Sequence, residues 1–180
     1  MWRLIYNIVL LVVSPIIVAI LLAKRRCRRG LLERLGWGRG LSGLSGSSGL
    51  SGRRDRPTRP DKPVIWVHAV SLGEVVAVTP LVNELHRRHP DHRLVVSTVT
   101  ETGREAVEQR LAGVADHCYA PLDFPWVVSR FIERLQPCLY LFVETELWPN
   151  LLWHLRRRGV PTALVNGRLS TRSFARQQWA

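Results

Sequence analysis

Cys138-Leu-Tyr-Leu-Phe-Val143 is an unbroken apolar run, and it passes directly into Glu144-Thr-Glu-Leu-Trp-Pro-Asn150. A short continuous run of this kind, closed by charge, is a strand buried on both faces. Residues 149–158 follow with proline near the first turn and Gly159 just after three arginines, the asymmetry expected of a helix start and stop. Thr162-Ala-Leu-Val165 is apolar again. Strand, helix, strand in this order predicts a parallel unit.

The same alternation extends back to residue 64. Val64-Ile-Trp-Val67 predicts a buried strand, and residues 74–89 place apolar side chains at 75, 78, 82 and 85, one helical face. Pro80 interrupts that helix and is expected to bend it. Leu94-Val-Val-Ser97 predicts a second strand. Thr102-Gly-Arg-Glu105 has the capping-box pattern and predicts a helix from there to about residue 111. A weak strand is expected over 117–120, and residues 126–135 repeat apolar positions at helical spacing. The fold class is α/β, a Rossmann-like parallel sheet covered on both faces.

The chain has 180 residues, 46% of them apolar, enough to bury a core. Its net charge of +12 is concentrated. Residues 24–59 hold 11 basic and 2 acidic residues, whereas 60–180 hold 14 basic and 12 acidic. The folded part is close to neutral, which argues against a nucleic-acid-binding face. Three scattered cysteines form neither a disulfide framework nor a metal cluster.

Three parts are expected: an anchor with its basic flank (1–29), a flexible linker (30–63) and the α/β domain (64–180). Residues 4–23 are interrupted only by Asn7, Ser14 and Pro15, and about 20 apolar residues cross a bilayer core. Lys24-Arg-Arg-Cys-Arg-Arg29 follows, and the positive-inside rule puts everything after it in the cytoplasm. The expectation is a single-pass anchor at a bacterial inner membrane. A helix lying in the membrane interface and a cleaved signal peptide compete with it. Residues 31–37 suggest a short amphipathic turn near the membrane. Leu-Ser-Gly occurs three times over 41–52, a flexible composition.

Sites in parallel sheets lie beyond the carboxyl ends of the strands. Three segments qualify: His68-Ala-Val-Ser-Leu-Gly-Glu74, Ser97-Thr-Val-Thr-Glu-Thr-Gly103 and Glu144 to Asn150. Glu74 follows a glycine at a helix start, where the helix field favours an ionised carboxylate able to accept a proton. The residues alone equally describe a first-turn glutamate that helps the helix begin. Glu144 and Glu146 are two apart; on an extended chain they point the same way. They either share a proton or cation, or serve as a cap and an ion-pair partner. His68 and Trp148 are expected as a satisfied buried polar group and a packing residue. No Walker loop, G-x-G-x-x-G or H-E-x-x-H is present. Hydroxyls and N–H groups of the Ser71 turn and the threonine-rich loop are left to hold sugar hydroxyls or phosphate.

Taken in order, His68-Ala-Val-Ser-Leu-Gly-Glu74, Thr98-Val-Thr-Glu-Thr-Gly103, Pro121-Leu-Asp-Phe-Pro125, Glu144-Thr-Glu-Leu-Trp-Pro-Asn150 and Asn166-Gly-Arg-Leu-Ser170 resemble the amino-terminal half of the 3-deoxy-D-manno-octulosonic acid (Kdo) transferases. The resemblance implies a GT-B glycosyltransferase that moves Kdo from CMP-Kdo to a lipid A precursor in lipopolysaccharide synthesis. Transfer is inverting and uses no metal or other cofactor. It implies Glu74 as general base and Glu144 as transition-state stabiliser, with Ser71, Gly73, Thr102 and Glu146 as acceptor contacts. The CMP-Kdo domain is expected to be missing from these 180 residues, so that the chain alone turns over no donor. Two alternatives remain open: half of a GT-B enzyme with another donor, and a membrane-tethered module that binds lipid or a partner without chemistry.

Overall fold

The structure, a computed structural model, describes residues 2–23, 30–36, 62–144 and 147–167, with backbone alone for residues 3 and 16–23. Two helices precede the domain, α1 (Trp2–Ala23) and α2 (Leu31–Arg34). The domain alternates as the sequence predicts: β1 (Val64–His68), α3 (Leu72–Arg88), β2 (Arg93–Thr98), α4 (Glu101–Arg110), β3 (Asp116–Tyr119), α5 (Pro125–Leu135), β4 (Pro137–Val143), α6 (Pro149–Arg157) and β5 (Thr162–Val165). The five strands form one sheet in the order β3-β2-β1-β4-β5, and every pairing is parallel.

Strand alternation divides the core into two layers. Trp66, Val95, Cys118, Tyr140 and Phe142 face α5 and α6, which contribute Val128, Phe131, Ile132, Leu151 and Leu155. Ile65, Val67, Leu94, Val96, Leu141 and Val143 face α3 and α4, which contribute Val75, Val78, Val82, Ala106 and Val107. Trp66 is fully buried between Phe131 and Tyr140, with ring centroids 5.1 and 4.6 Å away. Both faces are covered, which is why β1 and β4 read as continuous apolar runs.

Two local details, the cap of α4 and the role of Arg158, differ from the sequence reading. The cap of α4 is Thr100, whose Oγ1 accepts the Gly103 N–H at 3.1 Å, so the helix opens at Glu101 and the capping pattern at Thr102 lies inside it. Helix α3 carries Pro80 inside it, as read. Arg158 does more than end its helix: it donates to Glu133 and Ser129 and ties α6 to α5.

The amino-terminal helices pack on the domain. Tyr6 of α1 donates to Asp123 at 2.8 Å, and the Asn150 amide donates to Asn7 at 2.7 Å. Among the described residues no helix is long and apolar enough to cross a membrane. The single-pass anchor read from residues 4–23 is therefore not shown. Residues 30–36, within the segment expected as linker, also sit on the domain. Arg34 donates to the Val99 carbonyl and its own carbonyl accepts the Leu122 N–H, so α2 bridges the loops after β2 and β3.

Candidate active site at the carboxyl rim of the sheet

The chain leaves β1 for β2 on one side, while β4 lies against β1 on the other. The carboxyl ends of β1 and β4 therefore frame the switch point where open α/β sheets leave a crevice. Glu74 follows β1 by six residues and Glu144 directly follows β4, so the sheet brings both sequence-predicted carboxylates to this rim.

Glu74 stands in the first turn of α3 at 9% exposure. Its Oε2 accepts the Val70 N–H at 2.8 Å and its Oε1 accepts the Ser71 hydroxyl at 3.1 Å. Ser71 thus serves the carboxylate as well as capping α3 through its backbone. Gly73 behaves differently from what its place in the turn suggests. Its φ is outside the left-handed range, so the backbone does not demand glycine, and a Cβ built there meets nothing within 4 Å among the described residues. The face of Gly73 is open.

Glu144 has φ of 61°, and its N–H donates to the Val165 carbonyl at 3.1 Å. A non-glycine residue in the left-handed region is uncommon and costs conformational energy. It also ends the extended chain, so the reading that Glu144 and Glu146 point the same way does not hold for Glu144. Glu146 lies outside the described residues. Thr102 is exposed, with its hydroxyl 3.4 Å from that of Thr100.

Beneath the rim, Trp66 Nε1 donates to Ser97 Oγ at 2.7 Å, and Ser97 Oγ meets His68 Nδ1 at 2.9 Å. His68 is buried against the edge of Trp148 at 5.4 Å, and burial lowers its pKa to about 4. A neutral imidazole is the result. It is only half satisfied, since Nε2 is buried without a hydrogen-bond partner among the described residues. Trp148 packs against the α5–α6 layer, as read.

Asp123 was quoted in the sequence only as part of Pro121-Leu-Asp-Phe-Pro125, without a role. Its carboxylate caps α6 from a distance: Oδ2 accepts the Asn150 N–H at 3.0 Å and Oδ1 the Leu151 N–H at 2.8 Å. The Asn150 amide answers by donating to the Asp123 carbonyl at 2.6 Å. Burial pushes the Asp123 carboxyl above its ordinary value, and these donors together with Tyr6 oppose that rise. The segment that follows Glu144 is thereby pinned at Asn150. No sequence signal marks these partners, because they lie 27, 28 and 117 residues away.

A cavity of about 480 Å³ lies elsewhere, at the outer edge of β3, lined by Glu33, Arg104, Glu108, His117 and Tyr119 among others, and it includes none of the predicted site residues. Among the described residues no group of three or more His, Cys, Asp and Glu is arranged to hold a metal ion.

Comparison with known proteins agrees with the motifs. A family profile described as 3-deoxy-D-manno-octulosonic-acid transferase (kdotransferase) matches residues 31–180. The chain is 37% identical over 180 residues to a protein of Haemophilus influenzae named 3-deoxy-D-manno-octulosonic acid transferase, an alignment covering 98% of this chain and 38% of that one. It is 42% identical over 121 residues to the Bordetella pertussis protein of the same name, covering 64% and 28%. A probable mitochondrial 3-deoxy-D-manno-octulosonic acid transferase of Arabidopsis thaliana is 36% identical over 113 residues, covering 63% and 25%. The chain thus spans well under half the length of these relatives. A parallel α/β sheet carrying these motifs in order, matched by the family profile over 150 consecutive residues, places the chain in the Kdo transferase family.

Proposed function

We propose that this domain is the acceptor side of an inverting glycosyltransferase that moves Kdo from CMP-Kdo to a lipid A precursor during lipopolysaccharide synthesis. In this reading a second domain of the GT-B pair binds CMP-Kdo, and helix α1 with its basic flank holds the domain at the cytoplasmic leaflet of the bacterial inner membrane.

The observation that carries the reading is that Glu74 and Glu144 follow the carboxyl ends of the adjacent strands β1 and β4, at the switch point of the sheet. Glu74 takes the proton of the acceptor sugar hydroxyl as that oxygen attacks the anomeric carbon of Kdo. The bond from that carbon to the CMP phosphate breaks, and CMP departs with the bonding electrons. Positive charge develops at the anomeric centre, and the carboxylate of Glu144 favours it. The Val70 N–H and Ser71 hydroxyl fix the Glu74 carboxylate before substrate arrives, so no reorientation is needed. Ser71, Gly73, Thr102 and Glu146 contact the acceptor. No metal takes part in this sequence of steps.

The test is transfer by the whole enzyme carrying this domain, with CMP-Kdo and a lipid A precursor as substrates. Glu74→Gln is expected to abolish most turnover while leaving acceptor binding and the far-UV circular dichroism spectrum intact. Retention of full activity by that variant overturns the assignment.

A further inference from the structure

Helix α1 is built inside out. The polar residues of its described part are Tyr6, Asn7 and Ser14, and these, with Leu10, are its half-buried stripe at spacings of three and four. Tyr6 and Asn7 are bonded to Asp123 and Asn150. Among the described side chains those turned outward are apolar: Trp2 is 83% exposed, Leu4 68%, Leu11 61% and Val12 70%, with Ile5, Ile8 and Val9 also exposed. A helix covering a water-soluble domain has the opposite polarity, as α5 does. An outward face of this composition is stable only against an apolar medium.

The docking also constrains which side of a membrane each end of α1 occupies. From Tyr6 to Ala23 the helix rises about 26 Å, close to a bilayer core of about 30 Å. If α1 crossed with Lys24 and the domain on one side, Tyr6 would lie near the other surface. Yet the Tyr6 hydroxyl is 2.8 Å from Asp123, inside the domain. Beside this contact, an apolar groove of about 240 Å³ separates Leu4, Ile8 and Leu11 from Phe124 and Trp126. Trp126 is 59% exposed and stacked on Phe124 at 5.0 Å, an aromatic pair at the same surface. Tryptophan favours the membrane–water interface.

We infer that α1 does not span the membrane: it lies along an anionic bilayer surface with its apolar face in the lipid, both of its ends on the side of the domain, and Tyr6 and Asn7 clamping the domain to its back. The lipid is the occupant because the five cations at 24–29 adjoin the apolar face in sequence and complement anionic head groups. The inference rests on the membrane attachment proposed above and replaces the crossing with an in-plane seat. It fixes the orientation of the domain as well as its distance, since Asp123 and Asn150, which receive α1, also hold the start of α6.

The 180-residue chain, carrying a protease-cleavable epitope ahead of Met1, is produced in Gram-negative cells, and inverted inner-membrane vesicles are compared with spheroplasts. The epitope is expected to be cut in inverted vesicles and protected in spheroplasts, and most of the chain is expected to leave the membrane in alkaline carbonate. An epitope cut only in spheroplasts, or a chain that resists carbonate, overturns the in-plane seat while leaving membrane attachment intact. A chain absent from the membrane pellet at low salt overturns the attachment itself and the seat with it. Leu11→Glu, on the outward face, is expected to lower binding to phosphatidylethanolamine/phosphatidylglycerol vesicles at least tenfold, and unchanged binding counts against the lipid contact.

Discussion

Glu74 and Asp123 are both buried carboxylates at the start of a helix on the same rim of the sheet, and they are held in opposite ways. Glu74 accepts from Val70 and Ser71, four and three residues before it in its own turn. Asp123 accepts from Asn150 and Leu151 of α6 and from Tyr6 of α1, so it joins elements far apart in the chain. A carboxylate held within its own turn is oriented by local geometry and can be asked to take a proton without loosening the fold. One that satisfies two orphan helix N–H groups and a buried hydroxyl is part of the fold itself. The contrast separates the carboxylate proposed to react from one that holds the fold together.

The largest effect expected is on transfer. Glu74→Gln removes the proton acceptor and keeps the shape, so kcat of the whole enzyme should fall about 10²–10⁴-fold, with unfolding free energy changed by less than about 1 kcal/mol. Paired kinetics and urea unfolding check it. Equal losses of stability and rate would erase the distinction from Asp123.

Asp123→Ala should have the reverse profile. It orphans the N–H groups of Asn150 and Leu151 and the Tyr6 hydroxyl, and a stability loss of about 3 kcal/mol is expected, measured by urea unfolding. Amides of α6 should also exchange faster with deuterium in this variant. A loss below about 1 kcal/mol would show that the remote cap is dispensable.

The same contrast explains what was legible in the sequence. Every strand and helix from residue 64 to 165 was read to within about two residues, because continuous apolar runs and helical spacing are local signals. Glu74 was found for the same reason: its position at a helix start and its bonds to Val70 and Ser71 are local. The register of the α4 cap was misplaced by two residues, since only Thr102 has a glutamate three residues on, whereas the cap that forms is a single bond from the Gly103 N–H to Thr100 Oγ1. Asp123 and the docking of α1 were out of reach. Their bonds join residues 27 to 143 positions apart, and nothing in Pro121-Leu-Asp-Phe-Pro125 names the partners. The apolar run at residues 4–23 was legible as hydrophobic, but its polar minority was read as interruption when it is the docking face.

Acid should affect the two sides of the rim with opposite sign. Burial lowers the His68 pKa from 6.5 to about 4, so the unfolded chain takes up a proton first as pH falls. The stability this neutral imidazole represents is complete above pH 6.5 and is lost toward pH 4. The loss at pH 4.5 is about 2–3 kcal/mol. His117, with burial again the chief cause, is also lowered to about 4 and adds to the same fall. Asp123, raised by burial above its ordinary 3.8, binds its proton more tightly when folded and opposes the trend as pH falls toward 3.8. Urea unfolding at pH 7 and pH 4.5 checks this, and His68→Asn should flatten the difference. An undiminished pH slope in that variant would assign the acid sensitivity elsewhere.

The smallest expected effect on stability is at Gly73, and it is the sharpest for the site. Gly73 occupies the first turn of α3, its φ is one any residue adopts, and an added methyl meets nothing within 4 Å among the described residues. Gly73→Ala should therefore stabilise the domain by about 0.5–1 kcal/mol through helix propensity and reduced freedom of the unfolded chain. If the acceptor sugar lies against this face on its way to Glu74, the same methyl intrudes on it, and KM for the lipid acceptor should rise severalfold. A more stable enzyme with weaker acceptor binding is the expected pair. A more stable enzyme with unchanged KM would move the acceptor off Gly73 and leave the open face next to Glu74 without a role in binding.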